Sequence, residues 1–134
     1  MNAKWDRDRL VSTAIAASRH AYVPYSRFPV GAALLAANGK TYGGCNVENA
    51  AYPSTLCAER TALVKAVSEG DRDFLAIAVV TRSGGSPCGS CRQMLYEFSP
   101  DMQVVVATLE GEIRYEVALQ ELLPRGFGPS GLVG

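Results

Sequence analysis

The sequence predicts an α/β protein, a three-layer α/β/α sandwich around a mixed five-stranded sheet. Short apolar runs alternate along the chain with stretches of helical periodicity, in the order α, β-hairpin, α, β, α, β, β, α. One run, FLAIAVVT at 74–81, is apolar almost throughout, the mark of a strand covered on both faces. Asn38-Gly39 joins two further runs and is a strong two-residue hairpin signal, so antiparallel strands sit beside strands joined by helical crossovers.

Each element has its own cause. Over residues 6–22, Leu10, Ala14, Ala17 and Ala21 recur at helical spacing with Val11 and Ile15 alongside, and Pro24 ends the helix. VGAALLAA at 30–37 is a strand, and 40–47 returns as its hairpin partner. Residues 49–56, with Pro53 and Ser54, are a loop. Residues 57–69 read as a helix with Ala58, Ala62, Leu63, Ala66 and Val67 on one side and Gly70 at its end. After the strand at 74–81, a turn-rich loop at 83–87 leads to a short helix at 88–98, stopped before Pro100. Residues 103–108 are a further apolar strand, Glu110-Gly111 turns the chain, and 113–117 alternates like an edge strand. A brief last helix is expected at 118–123, followed by a Gly- and Pro-rich tail that carries Phe127. No repeat or linker divides the chain, and 134 residues suit one domain, 1–134.

Thirteen basic residues balance thirteen acidic ones, so the formal charge is zero. A balanced chain has no general attraction for nucleic acid or an anionic membrane. There is no run of 18 apolar residues to span a bilayer. The N-terminal residues carry both charge signs with no apolar segment behind them, unlike a secretory signal, so a cytoplasmic location is expected. Weak colloidal repulsion favours an oligomer.

In a reducing compartment, clustered cysteines serve as metal ligands or redox groups more often than as disulfides. Cys57 opens one predicted helix, and Cys88 and Cys91 open another in Pro87-Cys88-Gly89-Ser90-Cys91. Helix N-termini carry partial positive charge and free N–H groups, which favour thiolate. Three converging thiolates would bind zinc and leave a fourth position open, as catalytic zinc sites do. Glu59, two residues after Cys57, is placed to take a proton from water held there. Three thiolates and Zn²⁺ sum to one negative charge. Arg60 and Arg92, each beside a ligand, are candidates to offset it by donating to sulfur.

Cys57-Ala58-Glu59 followed by Pro87-Cys88-Gly89-Ser90-Cys91 resembles the zinc signature of the cytidine deaminases, a class with a known mechanism. Residues 25–34 (YSRFPVGAAL), 44–50 (GCNVENA) and Leu122-Leu123-Pro124 with Phe127 resemble further blocks of the small homotetrameric, three-cysteine branch. The resemblance runs from about Ala14 to Gly128. It implies the cytidine deaminase-like fold, one Zn²⁺ per subunit on Cys57, Cys88 and Cys91, and Glu59 as proton shuttle. It also implies Asn46 and Glu48 on the ribose hydroxyls, Phe28 and Ala58 at the base, Phe127 reaching a neighbouring subunit's site, and Arg60 bonded to thiolate. The implied reaction is hydrolysis of cytidine and deoxycytidine to uridine and deoxyuridine plus ammonia, by attack of zinc-bound hydroxide at C4, in pyrimidine salvage. A homotetramer also follows from the need to close so small a chain's nucleoside site against water.

Three other readings compete. Cys45 as a fourth ligand would make a structural zinc module, although a small buried thiol is the alternative for Cys45. Cys88 and Cys91 alone fit a dithiol redox protein. Blasticidin-S deaminases share the zinc motif, although the run Asn46-Val47-Glu48-Asn49 favours a simple nucleoside. His20 and Trp5 read as helix and packing residues. Tyr22, Tyr25 and Tyr52 are packing or interface residues that the sequence does not separate.

Overall fold

The structure, a computed structural model, describes residues 5–133. Its helices are α1 (Arg7–Ser18), α2 (Ala58–Ser68), α3 (Gly89–Tyr96) and α4 (Pro129–Val133). Its strands are β1 (Gly31–Ala36), β2 (Thr41–Cys45), β3 (Phe74–Thr81), β4 (Gln103–Thr108) and β5 (Ile113–Ala118). The strands form one sheet in the order β2-β1-β3-β4-β5. Only β3 and β4 run parallel, joined through α3, and the other pairs are antiparallel.

The period-2 geometry of strands sorts the core into two layers. Ala32, Leu34, Ile77, Val79, Val104 and Val106 face the side where α2 and α3 pack, with Ala62, Leu63, Ala66 and Leu95. Ala33, Leu35, Ala76, Ala78, Val80 and Val105 face Leu10, Val11 and Ala14 of α1. The expected three-layer α/β/α sandwich with a mixed five-stranded sheet is therefore the observed fold. Two glycines set how closely the helices approach. A Cβ on Gly31 would lie 2.0 Å from the Ala14 carbonyl oxygen of α1. One on Gly44 would lie 2.5 Å from the Ala58 carbonyl oxygen of α2. Backbone-to-backbone contact of this kind admits only glycine.

The hairpin forms at Asn38-Gly39 as expected, with Gly39 at φ +94° and Lys40 N–H donating to Asn38 Oδ1 at 2.9 Å. Asp6 caps α1, its side chain accepting from Arg9 N–H at 3.1 Å. Other boundaries differ from expectation. α1 stops at Ser18 rather than running to Tyr22, because Tyr22 pairs with the chain beyond β2. Its N–H donates to Asn46 O at 3.0 Å and its carbonyl accepts from Glu48 N–H at 2.8 Å. The expected helix at 118–123 is a 3₁₀ turn, Leu119–Leu122, because Leu119 N–H is drawn to Met102 O at 2.8 Å and its side chain is buried. The loop at 49–56 contains a 3₁₀ turn, Tyr52–Ser54, and the tail contains the short α4. No helix among the described residues is long and apolar enough to cross a membrane.

The site lies beyond the carboxyl end of β3, where α2 and α3 begin. Crevices at strand carboxyl ends are the usual ligand sites of open α/β sheets.

Candidate active site

Cys57 and Cys88 are the N-cap residues of α2 and α3, with extended backbones and no side-chain capping bond. Their sulfurs turn toward each other instead, 4.0 Å apart. Cys91, three residues into α3, brings its buried sulfur within 3.4 Å of Cys88 Sγ. All three sulfurs lie within 4.8 Å of one another. Thr81, the last residue of β3, bends the chain toward α3: its Oγ1 accepts from Gly84 N–H at 2.9 Å and Gly85 N–H at 3.0 Å.

Burial and hydrogen bonding separate the thiols' acidities. The Cys57 thiol is pulled down by its hydrogen bond with Cys91 and further by the Arg60 guanidinium, while burial opposes the shift. Cys91 is pushed up, first by that shared hydrogen bond and then by burial. Arg60 Nη2 donates to Cys57 Sγ at 3.4 Å. The guanidinium is held more firmly protonated by the Cys57 sulfur, with Cys91 adding to the effect. Arg60 Nε is buried with no hydrogen-bond partner among the described residues.

Glu59 sits in the first turn of α2, 4% exposed. Burial pushes its carboxyl up to about 7, and the neighbouring Cys57 sulfur adds to the shift. The acid is thus poised near neutrality, where proton exchange is most efficient. It forms part of the wall of a cavity of about 220 Å³ together with Cys57, Cys88, Phe28, Val30 and Asn46.

The donor set fits zinc. Sulfurs about 2.3 Å from a tetrahedral ion stand roughly 3.8 Å apart, between the 3.4 Å and 4.0 Å seen for the two close pairs. A family model described as "Cytidine and deoxycytidylate deaminase zinc-binding region" matches residues 4–108. The chain belongs to the cytidine deaminase family. A cytidine deaminase of Sporosarcina psychrophila is 51% identical over 130 residues, covering 95% of each chain. One of Halalkalibacterium halodurans is 54% identical over 125 residues, covering 91% of this chain and 94% of that one. The crystal structure of cytidine deaminase from Burkholderia pseudomallei superposes with a TM-score of 0.87 at 45% identity, covering 92% of this chain and all of that one. Membership of this zinc-dependent deaminase family favours metal ligation over dithiol chemistry as the use of Cys88 and Cys91.

Within this cytidine deaminase fold, the residues singled out from the sequence fall into three groups. Phe28, Asn46, Ala58 and Glu59 line the cavity with two of the cysteines. The Asn46 amide braces the segment that carries Phe28 into β1: Oδ1 accepts from Val30 N–H and Nδ2 donates to Phe28 O, both at 2.9 Å. Glu48 lies at an adjoining opening of about 430 Å³ with Tyr25, Ser26 and Tyr52. It accepts from the N–H groups of Tyr25 and Ser26 at 3.0 and 3.1 Å and from the Ser26 hydroxyl. The Ser26 hydroxyl bond, joined by the two N–H groups, holds the Glu48 carboxyl below its ordinary range against the effect of desolvation.

Phe127 is 57% exposed and lies outside its own chain's cavity, on the tail held by Gln93 Nε2 donating to its carbonyl at 2.8 Å. Two expectations need correction. Arg92 does not reach sulfur: Nε donates to Pro87 O at 2.8 Å and Nη1 to Leu122 O at 2.9 Å, so it ties α3 to the C-terminal segment. Cys45 is half-buried rather than buried, stands outside the cysteine trio, and lines a groove with His20 and Lys65. The structural four-cysteine reading therefore has no fourth sulfur. Ser26, which holds Glu48, falls in the matching block 25–34 but has no role legible in the sequence, because a serine in a loop carries no periodic signal.

Proposed function

We propose that this chain hydrolyses cytidine and deoxycytidine to uridine and deoxyuridine plus ammonia. The observation that carries this reading is the gathering of three thiols beside one buried, near-neutral carboxyl on a cavity wall. Cys57, Cys88 and Cys91 would hold one zinc ion per chain. Bound zinc would supply a Lewis acid that makes water acidic near neutral pH. Glu59 accepts a proton from the attacking water and delivers it to N3 of the ring as C4 becomes tetrahedral. It then takes up the proton that the C4 hydroxyl releases as the carbonyl forms and passes it to the departing amine. Arg60 balances part of the thiolate charge. Burial of Glu59 excludes water, which strengthens each of these interactions.

The volume supports a pyrimidine ring rather than a larger guest. About 220 Å³ falls below the roughly 300–1,000 Å³ of drug-sized sites. Phe28 and Ala58 would flank the base, and Glu48 and Asn46 would meet the sugar hydroxyls. A site built on such bonds rejects analogues that lack them. The names of the relatives favour the simple nucleoside over blasticidin S. The exposed Phe127 suits a homotetramer in which each tail completes a neighbour's site, in a cytoplasmic salvage enzyme with a single catalytic domain and no nucleic-acid or membrane partner.

Ultraviolet assays with cytidine, deoxycytidine, cytosine, dCMP and blasticidin S test the reading. Turnover of the two nucleosides is expected, and preferential turnover of blasticidin S or dCMP would refute it. Sedimentation on dilution tests the tetramer, since a fully active monomer would contradict it.

A further inference from the structure

Phe28 is a wall of the cavity, yet 37% of it is exposed. An aromatic ring at a cavity mouth needs something to hold its face. Its backbone is fixed at both ends: Phe28 N–H donates to Ser26 Oγ at 3.0 Å and its carbonyl accepts from Asn46 Nδ2 at 2.9 Å. The residue before it, Arg27, is one of only two non-glycine residues with positive φ among those described, at +56°. That left-handed conformation is sparsely populated and persists where surrounding contacts impose it. Arg27 N–H donates to Val23 O at 3.0 Å, and its carbonyl accepts from Nη2 of Arg82. The same Arg82 guanidinium lies over the Phe28 ring, 5.2 Å from its centroid. Arg82 directly follows Thr81, the residue that turns the loop toward Cys88. One side chain therefore clamps both the strained peptide and the ring, and ties them to the loop that leads into the metal site.

We infer that Arg82 is a positioning residue that presets the Phe28 ring for the substrate's base, acting on binding rather than on the chemical step. This inference rests on the reading of Phe28 as the base-contacting ring. Removing the guanidinium loses a cation–π contact and a charged hydrogen bond. Arg82→Ala is therefore expected to raise KM for cytidine, and the calorimetric Kd for uridine, about five- to ten-fold. kcat should stay within about two-fold, with zinc content unchanged. Arg82→Lys, which keeps a cation over the ring, should recover part of the loss. Phe28→Ala should weaken both constants, and the double variant should bind no worse than Phe28→Ala alone. Unchanged constants in Arg82→Ala beside weakened ones in Phe28→Ala would overturn the role of Arg82 and leave Phe28 standing. Unchanged constants in Phe28→Ala would overturn the underlying reading. Additive losses, lost zinc or a fall in kcat alone would also overturn the inference.

Discussion

Arg60 Nη2 reaches Cys57 Sγ across 3.4 Å, one helical turn along α2, placing a fixed positive charge beside a thiol whose acidity it increases. Arg92, the matching arginine after Cys91, turns away to the carbonyls of Pro87 and Leu122. The two arginines thus have different tasks, and their variants should separate.

Arg60→Gln should weaken zinc retention roughly 10- to 100-fold, as loss of a partner behind metal ligands does. Arg92→Gln should leave zinc retention unchanged and loosen the C-terminal segment. Chelator competition with zinc quantified per chain, and proteolysis of the tail, distinguish them. Equal zinc loss in both would refute the division.

Glu59→Gln should keep one zinc per chain and lose roughly 10²- to 10⁴-fold in kcat, the range for removal of a proton-transfer group. Steady-state kinetics beside metal analysis settles this, and retained activity would remove Glu59 from the proton path.

The same variant makes a pH prediction for the zinc-free protein. Burial raises the Glu59 carboxyl from 4.5 to about 7. A raised carboxyl leaves stability intact below the unfolded value near 4.5 and erodes it as pH climbs through the folded value near 7. Zinc-free Glu59→Gln should therefore match the wild type near pH 4.5 and exceed it above pH 7 by on the order of 3 kcal/mol. Urea melts at both pH values measure the gap, and a gap that does not vary with pH would contradict burial as the cause.

Gly31→Ala would press its methyl to 2.0 Å from Ala14 O, whereas a methyl on Gly39 meets nothing within 4 Å and strains only a φ of +94°. The first should lower stability by about 3 kcal/mol, and the second by about 1 kcal/mol. Thermal unfolding of the two variants gives the ranking, and equal shifts would refute the close approach of α1.

The chemistry of the site was legible because its parts are local. Cys57 and Glu59 share one helix start, and Cys88 and Cys91 share another, so spacing marks candidate ligands and a candidate acid, and the resemblance to the cytidine deaminases implies their roles. The sheet was legible for a similar reason: the apolar run at 74–81 and the Asn38-Gly39 turn report burial and reversal within a few residues. The direction of Arg92 was not legible, because carbonyls 30 residues away at Leu122 and five away at Pro87 compete for it. Nor was the end of α1, where Tyr22 leaves the helix to satisfy its backbone groups against Asn46 and Glu48.

By itself the sequence determined the layered α/β fold, the cysteine trio and the acid placed two residues after Cys57, because periodicity and helix-start chemistry operate over one or two turns. Only the tertiary structure decided that Arg92 turns away from sulfur, how Asn46 and Ser26 brace the segments around Phe28 and Glu48, and that Arg82 covers Phe28. Those contacts join residues up to 54 positions apart, and long, flexible side chains choose among partners that only the completed fold brings within reach.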